Sequence, residues 1–367
     1  MTRPHFSTAP RDDRPRRPRR STGAVLIALV AALALTACGE RGEPLKPGSL
    51  TQRDPTPFAL ALNRLPDATH AGLFTARARG DFTAAGLAVD LRTPPDPAAP
   101  LRALEAGEVD MAILHEPDLL LARDRGADLV AVGALVQEPL TSLISTGGDA
   151  VRDLRALTGE RVATGGLPHQ QALLRGALQE AQVPPREVAV ADAGFSLLPA
   201  TVSDRVAGAF GAFWSTDGVA LRRRDRDPVV LRVDEALDVP AYAELVFVVR
   251  ARDARERGPV LRRFLQAAAR GHRALREDPR RGVEALRAAR PRLDPRVLPF
   301  TVNETLPLFA PDDEKLPFGH QDTRRWQRFA SWMVDNRLLR QPPEAREALT
   351  NEFLPGLGLA PSERPGG

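Results

Sequence analysis

The sequence predicts an α/β fold of two lobes around a cleft, and three observations predict it. From Phe58 onward, short apolar runs alternate with segments of helical spacing, the pattern of strands and crossover helices in a largely parallel sheet. The alternation restarts after Thr146-Gly147-Gly148, so a second unit of the same kind follows the first. Beyond residue 250 the spacing is helical almost throughout. A chain of 367 residues is long enough for more than one compact lobe.

In the first unit Phe58 to Leu62, Leu87 to Leu91, Met111 to Leu114 and Val130 to Val136 read as strands, because each is short, apolar and bounded by polar or turn-forming residues. Ala71 to Arg79, Leu101 to Ala106 and Pro117 to Arg125 have helical spacing between them. In the second unit Arg161 to Thr164 and Glu187 to Ala191 are strands around a helix from His169 to Ala181, followed by strands at Val206 to Phe210 and Val229 to Val233. Glu244 to Val249 is a further apolar strand. Two amphipathic helices then stand out: Val260 to Leu275, with Leu261, Phe264, Leu265 and Ala268 on one face, and Asp322 to Leu338, with Trp326, Phe329, Trp332 and Met333. Aromatics at that spacing belong to a core. Short apolar crossovers near 140 to 148 and 242 to 250 join the units, which places residues 58–146 and 246–355 in lobe 1 and 147–245 in lobe 2. Ligands of open α/β sheets bind at the carboxyl ends of strands, and interdomain clefts are favoured pockets.

The chain begins with an arginine cluster at Arg14, Arg16, Arg17, Arg19 and Arg20, an apolar stretch from Ala24 to Leu35, and Thr36-Ala37-Cys38. This layout of a secretory leader, closed by the sole cysteine of the chain, resembles a bacterial lipoprotein signal. That resemblance implies a signal peptide over 1–37, a lipid on Cys38, and an exported protein anchored to the cell membrane and facing the extracytoplasmic side. The apolar stretch is too short to span a bilayer, which takes about 20 residues. Residues 38–57, polar and rich in Pro and Gly, read as anchor and flexible tether, and 356–367 as a disordered tail. The full chain has 51 Lys and Arg against 47 Asp and Glu, but without residues 1–37 the balance is 44 against 45. A nearly neutral domain lacks the field that holds nucleic acid. With one cysteine there is no disulfide framework.

The motifs of catalysis are missing. The sequence has no Gly-x-Ser-x-Gly elbow, no phosphate-binding Gly-Lys-Ser/Thr loop and no paired-histidine zinc motif, and its six histidines are scattered. No cofactor, metal or enzymatic activity is expected.

Several segments carry a resemblance: Asn63-Arg64-Leu65-Pro66-Asp67-Ala68-Thr69-His70-Ala71-Gly72-Leu73-Phe74, the stretch from Leu101 to Ile113 containing Glu105-Ala106-Gly107-Glu108-Val109-Asp110, Gly211-Ala212-Phe213-Trp214-Ser215-Thr216-Asp217-Gly218-Val219, Val239-Pro240-Ala241-Tyr242-Ala243-Glu244-Leu245-Val246, and Phe318-Gly319-His320 onward to Leu338. Together, in consistent order from about 58 to 355, they are similar to the thiamine-pyrimidine-precursor binding proteins of ABC importers. The resemblance implies a two-lobed periplasmic-binding-protein type II fold, a monomer that captures a small ligand in the interlobe cleft, and an ABC permease with its ATPase as partners.

The residues suit a flat, nitrogen-rich ligand. Aromatic rings cover the faces of an aminopyrimidine, and a carboxylate accepts from its amine edge. Phe213, Trp214 and Tyr242 are the stacking candidates, and Glu116, Asp217 and Glu244 the candidate edge readers. Asn63 and His70 follow the first strand where its carboxyl end opens on the cleft; His70 equally suits a cap of the following helix. The loop Gly165-Gly166-Leu167-Pro168 opens a helix, with amides placed to meet a polar ligand group or simply to make the turn. Many relatives carry an aromatic residue where this chain has Arg64-Leu65, so Arg64 either stacks through its guanidinium or pairs with an acidic ligand. The alternatives are a binding protein for a sulfonate, taurine or nitrate on the same fold, and a pyridoxal-dependent pyrimidine synthase. The latter needs a lysine amine, and the only lysines are Lys46 and Lys315.

Overall fold

The computed structural model describes residues 54–356, apart from 204, 311–314 and 342–344. The expected signal peptide, Cys38 with its lipid, most of the tether and all but the first residue of the expected tail lie outside the described residues.

Two five-stranded sheets organise the chain. The first holds β1 (Thr56–Ala61), β2 (Leu87–Arg92), β3 (Met111–Leu114), β4 (Leu129–Val136) and, much later in sequence, β10 (Leu245–Arg250), in the order β2-β1-β3-β10-β4. The second holds β5 (Thr141–Ser145), β6 (Arg161–Thr164), β7 (Ala189–Asp192), β8 (Gly208–Phe213) and β9 (Val229–Arg232), in the order β7-β6-β8-β5-β9. Each sheet is parallel except for one strand: β10 runs antiparallel to β3 and β4, and β5 antiparallel to β8 and β9. These two strands are the ones by which the chain enters a lobe from the other lobe. Helices Ala71–Ala78, Ala99–Ala106, Glu116–Asp124 and Pro168–Glu180 follow β1, β2, β3 and β6, as right-handed crossovers between parallel strands require.

Two expected boundaries are corrected. Thr141–Ser145 is a central strand of the second sheet, not part of a crossover, so the second sheet begins before residue 147. Three of its five residues are Thr or Ser, and their hydroxyls conceal it. Thr141 donates to Glu244, Ser142 to the Leu140 carbonyl, and Ser145 accepts from the Val151 amide, so the strand is wholly buried without an apolar signature. Likewise, Thr56 and Pro57, assigned to the tether, pair with Leu87 and Ala88. Backbone pairing extends a strand whatever its side chains, and proline is tolerated at a strand's first positions.

The core of the first lobe gathers on the helix Gly258–Glu277, where Phe264 lies 4.9 Å from Phe58, 5.3 Å from Phe82 and 5.7 Å from Phe247 between ring centroids. That helix crosses Ala71–Ala78 with almost no side chain between the two backbones. A Cβ on Gly271 would stand 2.4 Å from the Gly72 carbonyl oxygen and 2.7 Å from the Ala76 amide nitrogen. The His272 ring fills the space above Gly72 and donates through Nδ1 to the Ala268 carbonyl, and burial lowers its pKa to about 4. Since backbone atoms cannot yield as a flexible side chain does, Gly271→Ala should destabilise the protein by about 1–3 kcal/mol, measured as a lower urea midpoint with an unchanged slope.

Candidate ligand-binding cleft

The chain passes between the sheets twice, through 137–140 and 237–244, and a buried carboxylate joins the two passages. Glu244 Oε2 accepts from the amides of Leu140 (2.7 Å) and Thr141 (2.9 Å) and from the Tyr242 hydroxyl (3.2 Å). Its Oε1 meets the Thr141 hydroxyl (2.9 Å) and His115 Nδ1 (2.8 Å). Burial alone would raise its pKa, but the His115 imidazole and the two amides hold it below the ordinary carboxylate value. Glu116, first residue of the helix that follows β3, accepts from the Ala243 amide at 2.7 Å. Burial pushes the Glu116 carboxyl up to about 8, so it is neutral where Glu244 is charged. Both residues were expected to read a ligand edge; in the structure both are buried, Glu116 bonded to the Ala243 amide and Glu244 to two amides and to the side chains of Thr141, Tyr242 and His115. Tyr242 is likewise withdrawn: its ring stacks on Phe329 at 4.6 Å in the core.

The aromatic motif divides in the same way. The Trp214 indole N–H donates to the Pro139 carbonyl at 3.0 Å, its amide to Leu140, and Arg232 covers its ring, so it braces the first passage. Phe213, the last residue of β8, instead turns its ring toward the first lobe, where the Arg64 guanidinium lies 5.0 Å from its centroid. The Phe213 amide donates to Asp217 Oδ2 at 2.8 Å across a turn of π-helical type over Trp214–Gly218. Asp217 in turn faces Arg64 Nη1 at 3.7 Å. Arg64 is held from its own side by Asp67 at 3.2 Å. Burial opposes the charge on Asp67, but Arg64, with the hydrogen bond from Thr69, keeps that carboxyl well below the usual range. His70 closes a capping box with Asp67 and meets Asn63 Oδ1 through Nε2 at 2.9 Å. With the Asp67 amide donating to Nδ1, the network fits the Nε2–H tautomer. Asn63 and His70 therefore shape the loop that carries Arg64.

A cavity of about 350 Å³ opens between the lobes beside this contact. Arg64, Leu65 and Asp67 face it from the first lobe, with Arg290, Arg292 and Asp294 from the segment that precedes the helix Leu298–Thr305; Phe195, Pro199, Asp217 and Arg224 face it from the second. Its size suits a small organic ligand. Of the residues singled out from sequence, the structure brings Arg64, Phe213 and Asp217 together; Arg64 and Asp217 line the cavity, and Phe213 is buried under Arg64 and is not part of the lining. The arginines at 224, 290 and 292 were missed because each sits in a charge-rich segment that reads as solvated surface. The Gly165 amide is taken by Gln170 Oε1 (2.6 Å) and that of Gly166 by the Thr164 hydroxyl (3.3 Å), while Pro168 is exposed at the first helical position. These amides make the turn and are not free for a ligand. Two further buried groups, His115 and His169, stack at 4.3 Å between the lobes. His115 directly follows an apolar strand, as Glu116 does, and that position was its signal.

The raised pKa of Glu116 has a pH consequence. A group whose folded pKa exceeds its unfolded value contributes stability below the unfolded pKa, and this is lost as pH rises through about 8. Glu116→Gln keeps the acceptor for Ala243 and cannot ionise. Its melting temperature should therefore rise relative to the parent as pH goes from about 5 to about 9, read by calorimetry.

The chain is 27% identical over 293 residues to the formylaminopyrimidine-binding protein of Halalkalibacterium halodurans, covering 79% of this chain and 88% of that protein. It is 22% identical over 298 residues to the 4-amino-5-hydroxymethyl-2-methylpyrimidine phosphate synthase of Legionella pneumophila, covering 81% of this chain and 92% of that one. Among solved structures it is similar to the alkanesulfonate-binding protein SsuA from Xanthomonas axonopodis pv. citri bound to MOPS, with a TM-score of 0.62, 19% identity, and coverage of 81% and 99%. The fold is accordingly the two-lobed periplasmic-binding-protein fold. The match to the family described as NMT1/THI5 like spans residues 67–282, more than half of the sequence, and this chain belongs to that family.

Proposed function

We propose that this chain is the solute-binding protein of an ABC importer, anchored to the extracytoplasmic face of the cell membrane by a lipid on Cys38, and that it captures an aminopyrimidine thiamine precursor between its lobes for delivery to a permease and its ATPase. One observation carries the ligand class. A planar group with N–H donors on its edge, the Arg64 guanidinium, already lies over the Phe213 ring and against the Asp217 carboxylate. An aminopyrimidine presents the same two features, a π face and an amine edge, to the same two side chains. The name of the 27%-identical relative from Halalkalibacterium halodurans agrees with this ligand class.

The reading as a synthase has little support in these residues. A Schiff base requires a lysine amine, and Lys315 does not line the interlobe cavity. A second binding reading, for a sulfonate or another small anion, is favoured by the four arginines at the cavity, Arg64, Arg224, Arg290 and Arg292. Arg64 separates the two. It competes with an aminopyrimidine for Phe213 and Asp217, whereas it would pair with an anion.

A thermal-shift screen of the full chain against aminopyrimidine thiamine precursors, thiamine, alkanesulfonates, taurine and nitrate tests the ligand, since a compound that binds only the folded state raises the melting temperature. Aminopyrimidines alone should shift it; a shift with the anions alone overturns the ligand and leaves the fold. Asp217→Asn should weaken the aminopyrimidine by about tenfold or more, the loss of one charge-assisted bond of about 1.4 kcal/mol. Arg64→Ala should tighten it, and a loss of affinity in that variant would favour the anion.

A further inference from the structure

We propose that His115 and His169, each oriented by a carboxylate behind it, Glu244 and Asp118, form a binding site for a divalent transition-metal ion of the Zn²⁺ type between the two lobes. His115 caps the helix Glu116–Asp124 and Asp118 lies in its first turn, both in the first lobe; His169 is the second residue of the helix Pro168–Glu180 in the second. All three are buried, and one donor atom from each lies within 4.8 Å of the others. No metal motif is legible in the sequence because its histidines are scattered; the meeting of two helix starts from different lobes creates the set.

The surroundings are those of ligating imidazoles. A metal-bound histidine gives its other ring N–H to a carboxylate or carbonyl. His115 Nδ1 is held by Glu244 at 2.8 Å, which leaves Nε2 as its ligating nitrogen. His169 Nδ1 is held by Asp118 Oδ1 at 2.8 Å, and its Nε2 is buried with no hydrogen-bond partner among the described residues. An orphaned buried polar atom costs about 1–3 kcal/mol, and a bound cation would satisfy it. The rings already stack at 4.3 Å with a tilt of 33°. A tetrahedral ion with bonds of about 2.0–2.1 Å needs its donors about 3.4 Å apart. Two imidazole nitrogens suit Zn²⁺ and its neighbours rather than Ca²⁺ or Mg²⁺, and Asp118, engaged with His169 Nδ1, orients that ring from behind. The carboxylates of Asp118 and Glu244 offset the positive ends of the two helices. Because the donors come from both lobes, the ion stabilises their approach.

The test is equilibrium dialysis of the full chain against Zn²⁺ alone, without organic ligand, with Co²⁺ as a spectroscopic stand-in. One equivalent should bind the parent and the His320→Ala control, and His169→Ala and Asp118→Ala should each weaken binding at least tenfold. His169→Gln, which preserves bulk and a donor, should lose the Co²⁺ visible bands while keeping the parent's circular dichroism, so a folding defect in the alanine variant does not decide the matter. Absence of stoichiometric binding to the folded parent, or undiminished binding by folded His169→Gln, overturns the site. Neither result depends on which organic solute the cleft takes, since none is present.

Discussion

The arrangement of the lobes depends on the Glu244 carboxylate. It touches both passages between the sheets, as Arg325 does through Glu138 and the Tyr242 carbonyl, and it fixes Leu140 and Thr141 to the end of the returning passage through two amides and a hydroxyl. A buried charge without partners is worth several kcal/mol against folding, so this carboxylate holds its donors in place. Its position sets where β5 leaves for the second sheet and where β10 returns to the first, each as the single antiparallel strand of its sheet. The neutral Glu116 adds a second bond from the first lobe to the returning passage at Ala243. The hinge is thereby made of backbone held by side chains, and its two chains are constrained to move together.

This constraint delivers the cleft chemistry. With the passages fixed, the end of β8 faces the loop after β1, and Phe213 and Asp217 meet Arg64. Arg64 is shared between an acid of its own lobe, Asp67, and one of the opposite lobe, Asp217. A ligand that takes over Asp217 leaves Arg64 with Asp67, so no charge is stranded in the exchange. The outer pair between Arg224 and Asp294, at 3.8 Å with the arginine half exposed to solvent, adds little, as exposed ion pairs do.

Much of this was legible from residues alone. The apolar runs at β3, β4 and β10 declare buried strands because each is continuously apolar and too short for a helix. Phe213 stood among three stacking candidates with Trp214 and Tyr242, and Asp217 among three edge readers with Glu116 and Glu244; the residues alone did not single out these two. The failures share a cause. Tyr242 and Glu244 have the right chemistry for a ligand and are spent elsewhere, one on Phe329 and the other on the hinge. The strand Thr141–Ser145 hides behind hydroxyls that bond within the protein. In each case the residue type permits two uses, and the partner that decides between them is remote in sequence.

The sequence by itself determined the α/β alternation, the near neutrality of residues 38–367 and the shortage of lysine, since composition and local periodicity depend on no distant contact. Only the tertiary structure decided which polar residues face the cleft. A side chain's free lone pairs and donors are whatever its neighbours leave unused, and here those neighbours arrive from the opposite lobe. Arg64 finds Phe213 and Asp217, Glu116 finds Ala243, and His169 finds Asp118 and His115 only when the passages bring the sheets together.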